Sequence, residues 1–367
     1  MSTEKFAIYL PSLAGGGAER SMVNLAIGMA QQPGVQVDLV LAEASGPYLK
    51  SVPPSIRIVD LKAGRVLQSL MPLAGYLRRE KPKGIVAAMD HANLVALWAK
   101  RLAGGTTNVA VCMQNTVSQD AHNAANTRGR FIPAATKWFY PWATGVVGVS
   151  QGVVDDFVKL TGVRKNVMVI HNPVVTPELE SRAEEPVDHP WLQAGQKPVL
   201  MGVGRLTKQK DFPNLINAFA EVRRQHDVRL MILGEGELRG ELEQLVSSLG
   251  LGEHVALPGF APNPYAYMKR ARMFVLSSLW EGLPTVLIEA MAVGTPVVAT
   301  DCPSGPQEIL RGGKLGRLVP ISNHKALAEA ISKTLMEPRQ PPNPDHYRDY
   351  TQAVVTEKYL KLLRGGL

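Results

Sequence analysis

The chain has 367 residues, 45% of them hydrophobic and 20% charged, an ordinary globular composition that excludes a disordered or fibrous protein. At roughly 150 residues per domain there is room for two domains, or at most three. The formal net charge of +8 is held unevenly, with 18 Lys/Arg against 12 Asp/Glu in residues 1–180 and 22 against 20 in residues 181–367. No run of five basic residues occurs, so nucleic acid is not expected as a partner. The excess suits an anionic membrane surface, a phosphorylated substrate or simply a solvated surface.

Cys112 and Cys302 are the only cysteines. That excludes a disulfide framework and a zinc cluster and points to a reducing compartment. The uncharged runs Ser21–Val37 and Trp138–Val154 have 17 residues each, short of the ~20 apolar residues of a spanning helix. At the N-terminus Phe6–Leu10 stops at Pro11 and leads into Gly15-Gly16-Gly17, a first strand and its loop rather than a signal sequence. A soluble cytoplasmic protein is expected.

In chain order the predicted strands of the first half are Phe6–Leu10, Val35–Leu41, Ile56–Asp60, Gly84–Met89, Asn108–Met113, Gly145–Val149 and Val167–Ile170. Between them, apolar residues three and four apart predict helices over Ala18–Gln31, Val66–Arg79, Ala92–Leu102 and Gly152–Leu160. Short apolar strands alternating with helices imply a parallel sheet covered on both faces. The acidic, proline-rich stretch Pro173–Pro198 has linker chemistry.

The alternation then restarts. Strands are predicted at Pro198–Val203, Val228–Leu233, His254–Leu257, Met273–Ser277, Pro296–Ala299 and Gly316–Val319. The helices fall at Phe212–Gln225, Glu237–Leu249, Pro264–Ala271, Pro284–Val293, Ser304–Arg311 and Lys325–Met336. After Pro338–Pro344 comes a last helix, Tyr347–Leu363. The expected organisation is α/β, with two doubly wound Rossmann-like domains, 1–174 and 175–345, facing across a deep cleft, and a terminal helix in 346–367.

Two segments carry the most chemistry. In Ser277–Ala292 a strand ends, a loop bears Glu281 and Pro284 opens a helix that also holds Glu289. The helix N-terminus offers amides and positive dipole to an anion. Five residues separate Pro284 from Glu289, roughly 7–8 Å of helix axis. The two glutamates are therefore too far apart for the ~5–5.5 Å carboxylate pair of a retaining glycosidase. Acids on either side of an anion site suit a nucleotide sugar, with Glu281 by sugar hydroxyls and Glu289 by the ribose. The alternative is an electrostatic cap and a surface residue.

In Gly202–Asp211, Gly204 permits close backbone approach, and Arg205 and Lys210 supply two cations at a strand's carboxyl end. Such charge-assisted contacts contribute ~1.5–3 kcal/mol each and fit a departing diphosphate, although a solvated basic turn would read the same way. Leu233–Gly240 has the spacing GxGxxxG with two acids, a poor match to a dinucleotide fingerprint; a tight turn explains it better. Gly15–Arg20 leaves room for a ligand against bare backbone. No Walker sequence and no aspartates spaced i, i+2 occur, so no metal site is expected, and cations and helix dipoles would handle phosphate. Two stretches fit either a lipid surface or ordinary packed helices: the aromatic Lys137–Trp142, and Val66–Arg79 with its flanking Arg65, Lys81 and Lys83.

Taken together and in this order, these residues resemble the retaining nucleotide-sugar glycosyltransferases of family 4, which have the GT-B fold. The signposts are Gly15–Arg20, Val149–Gly152, Ile170–Pro173, Gly204-Arg205 with Lys210, Gly234–Gly236, the E-x7-E block Glu281–Glu289, and Gly294–Asp301. The resemblance implies a donor site in the second domain. There Glu289 would bind ribose, Arg205 and Lys210 the diphosphate, and Glu281 with Gly282, Leu283, Thr285 and Val286 the sugar and phosphate. Gly234 and Gly236 would also belong to the donor site, Gly16 and Gly17 would close over the phosphates, and Phe260 and Pro262 would flank the base.

Many family members carry a histidine where this chain has Gln114-Asn115. Asp90, His91, Gln114 and Asn115 are the acceptor-side candidates. No cofactor is expected beyond a UDP-linked sugar as substrate. The leading expectation is transfer of a hexose or N-acetylhexosamine to a lipid-linked acceptor at the inner face of the plasma membrane. The alternatives are a small soluble acceptor, an NAD-dependent oxidoreductase built on Gly234–Gly240, and a nucleotide-sugar-binding protein without turnover.

Overall fold

The computed structural model describes residues 3–122 and 132–366. The chain forms two compact units, Met1–Val174 with Asp349–Leu367, and Val175–Arg348.

The first unit is built on seven parallel strands: β1 (Glu4–Leu10), β2 (Val35–Leu41), β3 (Arg57–Asp60), β4 (Gly84–Ala88), β5 (Asn108–Met113), β6 (Gly145–Gly148) and β7 (Val167–Val169). Their order across the sheet is β3-β2-β1-β4-β5-β6-β7. The intervening helices are α1 (Gly17–Ala30), α2 (Leu70–Glu80), α3 (Asp90–Ala103), α4 (Val117–His122), α5 (Ile132–Phe139) and α6 (Gln151–Thr161). Strands β1 and β4–β6 are almost wholly buried. A parallel sheet covered on both faces needs such continuous Val, Ile and Ala runs, whereas a one-sided sheet would alternate apolar with polar.

The second unit starts with α7 (Leu179–Glu184) and then holds β8 (Val199–Val203), α8 (Phe212–Arg223), β9 (Arg229–Leu233), α9 (Arg239–Ser248), β10 (Val255–Gly259) and α10 (Pro264–Arg270). It continues with β11 (Met273–Leu276), α11 (Thr285–Ala292), β12 (Val297–Thr300), α12 (Pro306–Ile309), β13 (Arg317–Val319) and α13 (His324–Leu335). Its six parallel strands run β10-β9-β8-β11-β12-β13. The core gathers Leu200, Ile232, Val275 and Val298 from the sheet with Phe212, Leu215, Phe219, Leu327 and Ile331 from α8 and α13.

The last helix, α14 (Gln352–Leu363), packs on α1 and β5 of the first unit. Tyr359, Leu362 and Leu363 are buried there, and each leucine so placed contributes ~1.5–3 kcal/mol. The close fit explains a glycine at the start of β6: a Cβ on Gly145 would lie 2.7 Å from Leu362, so any side chain there would lift the helix. Asn108 Nδ2 donates to the Leu363 carbonyl (2.9 Å). At the boundary the Val174 N–H donates to the Tyr350 carbonyl (2.9 Å), so the two chain segments that pass between the units lie side by side.

Both sheets reverse their winding direction once, between β1 and β4 and between β8 and β11. At these reversals the pairing runs Phe6↔Gly84 to Tyr9↔Ala87, and Leu200↔Met273 with Met201↔Phe274. Helices leave opposite faces on either side of such a point and open a crevice past the strands' carboxyl ends. The loops after Leu10, Ala88, Val203 and Leu276 are therefore the places to look for chemistry.

The structure corrects the sequence reading in several places. The acidic, proline-rich stretch is a docked segment of the second unit rather than a free linker. Leu179, Ala183 and Val187 are buried, Lys269 pairs with Glu184, and Asn263 Nδ2 donates to the Arg182 carbonyl (2.8 Å). Residues 346–348 fold with the second unit and not with the terminal helix. Strand β4 ends one residue early because Met89 turns to φ 77°, ψ 139°, and α3 consequently begins at Asp90 rather than Ala92. The Val66–Arg79 pattern divides into a 3-10 turn, Val66–Ser69, followed by α2.

Candidate active site

In the second unit, β8 delivers Gly204–Lys210 and β11 delivers Ser277–Glu281 to the same reversal. Lys210 ends a short 3-10 turn, Lys208–Lys210, and its Nζ donates to Glu281 Oε1 at 2.6 Å. Ser278 Oγ donates to that same oxygen, also at 2.6 Å. The pair is well shielded, with side-chain exposures of 16% for Lys210 and 7% for Glu281. Both contacts fall on Oε1, and among the described residues Oε2 accepts no hydrogen bond, so it is open to a ligand hydroxyl.

The loops around this pair are wired together. Ser277 Oγ donates to the Lys210 carbonyl (2.7 Å), Gln209 Nε2 to the Trp280 carbonyl (2.9 Å), and the Leu279 N–H to the Gln209 carbonyl (2.8 Å). From β12, Thr300 Oγ1 donates to the Ser278 carbonyl (2.6 Å), and Ser304 Oγ donates to the Gly282 carbonyl (2.9 Å). Cys302 is buried beside them, and burial with the neighbouring Glu281 charge pushes its thiol up to about 12. Lys210 and Glu281 are thus held in place before any ligand arrives. Motif spacing assigns the two residues separate roles and does not point to Ser277, Ser278, Thr300 or Gln209. The available signal was hydroxyl residues ending two adjacent strands.

Helix α11 starts just beyond, with Pro284 at its N-cap, no side-chain cap and no acid in its first turn. Gly282 and Leu283 are buried, while Thr285 and Val286 are half-buried. Its first-turn amides carry the positive end of the helix dipole. Glu289 lies one turn further in, 1% exposed. Arg205 is exposed and its side chain makes no ion pair or hydrogen bond among the described residues, so its guanidinium is available to an anion. Phe260 follows β10 and is 62% exposed.

The glycines after β8 and β9 serve the loops directly. Gly234 has φ +141°, and a Cβ there would lie 1.9 Å from the Gly204 carbonyl oxygen; one on Gly236 would lie 2.4 Å from that of Leu206. Backbone bonds Leu206 N–H to Glu235 O (2.9 Å) and Leu238 N–H to Leu206 O (3.0 Å) knit the two turns. These glycines let one turn seat on the other, beside Arg205. Gly204 in turn packs against the Lys210 stem, with a built Cβ 3.1 Å from its Cε.

The first unit's reversal is arranged differently. Gly16 is the N-cap of α1, but Glu19, 8% exposed, leans back over it, its Oε2 2.4 Å from where a Gly16 Cβ would be. A carboxylate thus stands beside the glycines expected to close over phosphates. The acceptor-side candidates separate. His91 and Asn115 are exposed. Gln114 is engaged with Asn172, whose Nδ2 donates to Gln114 Oε1 (2.9 Å), and its own Nε2 reaches Cys112 Sγ (3.2 Å). Asp90 is half-buried, its Oδ1 accepting a long bond from the Tyr140 hydroxyl (3.4 Å). Burial pushes its carboxyl up to about 6.

Both halves of the chain match known families. Residues 15–177 match Glycosyltransferase Family 4 and residues 185–353 match Glycosyl transferases group 1. The chain belongs to glycosyltransferase family 4. This GT-B glycosyltransferase is 29% identical over 348 residues to the N-acetylgalactosamine-N,N'-diacetylbacillosaminyl-diphospho-undecaprenol 4-alpha-N-acetylgalactosaminyltransferase of Campylobacter jejuni, covering 91% of this chain and 90% of that protein. An uncharacterized glycosyltransferase of Methanocaldococcus jannaschii is 29% identical over 257 residues, spanning 67% of this chain and 62% of that protein. Among solved structures, Anabaena HepE in complex with UDP and glucose superposes with a TM-score of 0.78 at 19% identity, over 98% of this chain and 99% of that one.

Proposed function

We propose that the protein is a retaining, metal-independent glycosyltransferase that moves a hexose or N-acetylhexosamine from a UDP-sugar to a lipid-linked saccharide at the inner membrane face. The observation that carries this reading is the shielded Lys210–Glu281 pair at the second unit's reversal, with the open Arg205 guanidinium and the uncapped start of α11 close by in sequence. Arg205, Lys210 and the α11 amides bind the diphosphate and stabilise the charge it gains on leaving, the role a preorganised cationic site can fill. Glu281 Oε2 accepts a sugar hydroxyl, Glu289 serves the ribose and Phe260 flanks the base. The names of the two relatives with known ligands, one a diphospho-undecaprenol glycan transferase and the other crystallised with UDP and glucose, favour this donor and acceptor class.

The membrane location has support in the first unit. Helix α3 packs against both α2 and α5, and these helices expose Leu102, Met71 and Trp138, the last to 71%. Trp98, Phe139 and Trp142 form an edge-to-face cluster at 5.0–5.2 Å, with Arg101 stacked over Trp142. Arg78, Lys81 and Lys100 line a hollow at the ends of α2 and α3. Exposed aromatics among cations fit an anionic lipid surface. Among the described residues no helix is long and apolar enough to cross a membrane.

A thermal-shift panel of UDP-, GDP-, ADP- and TDP-sugars tests the donor. A donor at 100 times its Kd adds ~2.7 kcal/mol to stability, and the UDP-sugars are expected to give the shift. No shift with any nucleotide sugar rejects the proposal. The anomeric configuration of the product by NMR tests retention, EDTA-insensitive turnover tests metal independence, and salt-sensitive flotation with anionic vesicles tests the membrane site.

A further inference from the structure

The first unit's reversal contains a small polar cluster. Asp90 opens α3 directly after β4, and Asn93, three residues on, lies on the same helix face. Asn93 is fully buried. Its Nδ2 donates to the Cys112 carbonyl (2.9 Å) and to the Tyr140 hydroxyl (3.1 Å), while its Oδ1 has no hydrogen-bond partner. Tyr140, equally buried, donates in turn to Asp90 Oδ1. Met89 is held at φ 77° just before Asp90. A non-glycine residue in that region costs ~1–3 kcal/mol and persists only where its surroundings impose it.

Acceptors outnumber donors in this cluster. A carboxylate has about four lone-pair positions, and the Tyr140 hydroxyl, 3.4 Å away, lies beyond the usual O–H···O distance and leaves all of them largely unfilled. Asn93 Oδ1 adds a buried acceptor with nothing to receive. Such a site repels phosphate and favours a neutral ligand rich in O–H donors. The remaining candidates on this face do not compete for that role: Gln114 is engaged with Asn172, and His91 points its chemistry into solvent.

Building on the glycosyltransferase reading, we propose that Asp90, backed by Tyr140 and Asn93, is the subsite that receives a hydroxyl of the saccharide acceptor. The Asp90 carboxylate accepts the hydrogen bond of that hydroxyl, and the Asn93–Tyr140 pair stands behind the carboxylate. The first unit therefore selects its substrate by sugar hydroxyls and not by a charged group.

The test measures UDP release from the UDP-sugar that the donor panel selects, with and without decyl glycosides of glucose, galactose, mannose, N-acetylglucosamine and N-acetylgalactosamine as acceptors. Wild type, Asp90→Asn and Tyr140→Phe are compared. Wild type is expected to be stimulated by at least one glycoside. In Asp90→Asn that stimulation falls at least tenfold, chiefly through a raised acceptor KM, while the donor Kd by calorimetry stays within twofold. Retained donor affinity reports an intact second unit, and an unchanged far-UV circular dichroism spectrum with a single cooperative melt reports an intact first one. Tyr140→Phe gives a smaller loss of the same kind. The proposal is overturned if Asp90→Asn is stimulated within twofold of wild type, if its donor affinity falls in parallel with stimulation, or if no glycoside stimulates wild type. Failure of the transferase reading has a separate signature: wild type binds no nucleotide sugar at all.

Discussion

The two winding reversals are built from the same strand order and equipped for opposite tasks. In the second unit, a lysine, a glutamate and three hydroxyl residues are bonded into one rigid group before any ligand arrives, with a cation exposed alongside. In the first unit, Glu19 leans over the glycines that open α1, and the Asp90 carboxylate is met by one long contact in front of a buried amide. The architecture supplies only a crevice. The side chains at four strand ends decide whether that crevice attracts a diphosphate or a neutral polyol.

The largest effect is expected at Lys210. Lys210→Ala leaves the Glu281 carboxylate shielded and short of its cation, and breaking such a pair costs ~3–5 kcal/mol, read by denaturant unfolding. Replacing both residues by apolar ones of similar size should recover most of that stability and none of the donor turnover. Recovery of turnover would show that the pair is only structural.

Next is Gly234→Ala, where the added methyl would run into the Gly204 carbonyl oxygen at a positive φ. A loss of at least ~2 kcal/mol is expected in thermal unfolding, with weaker donor binding because the Arg205 loop rests on this turn. Arg205→Ala sharpens the comparison from the other side. Thermal stability should move by less than ~0.5 kcal/mol, whereas donor Kd rises ten- to a hundredfold, the equivalent of a lost charge-assisted bond of ~1.5–3 kcal/mol. An unchanged Kd would remove Arg205 from the diphosphate site.

The smallest effect is a pH-dependent one at Asp90. Its folded pKa of about 6 lies above the ordinary 3.8, so the folded state binds the proton more tightly than the unfolded state. Stability from this group is therefore present at low pH and lost as pH rises from about 4 to beyond 6. Asp90→Asn should be more stable than wild type at pH 8 by ~1 kcal/mol, discounted for partial exposure, and the gain should vanish near pH 4. Equal Tm differences at both pH values would mean that the carboxyl is not perturbed.

Much of the fold was legible because parallel strands buried on both faces leave apolar runs, such as Gly84–Ala88 and Val199–Val203, punctuated by glycine and proline. The short helix Leu179–Glu184 was hidden by its acidic composition and proline surroundings. Its two buried positions, Leu179 and Ala183, make too short a pattern to read. At the candidate site, the E-x7-E block and the Arg205–Lys210 turn were visible as motifs. Their bonding was not, since Lys210 and Glu281 lie 71 positions apart and meet only because β8 and β11 are neighbours where the winding reverses. The Asn93–Tyr140 contact, 47 positions apart, depends likewise on a helix and a turn being brought together over one sheet.

The return of α14 to the first unit affects how the protein is made. Residues 349–366 leave the ribosome after the whole second unit, so the amino-terminal sheet stays uncovered along β4, β5 and β6 throughout synthesis, with Gly84 and Gly145 facing an empty seat. The later-made unit has all its strands in one continuous stretch and can complete its fold first, the reverse of the usual amino-to-carboxyl order. Until Leu362 and Leu363 arrive, an apolar strip beside Gly84 and Gly145 is open to chaperones or to misassociation, and α14 is the element that covers it.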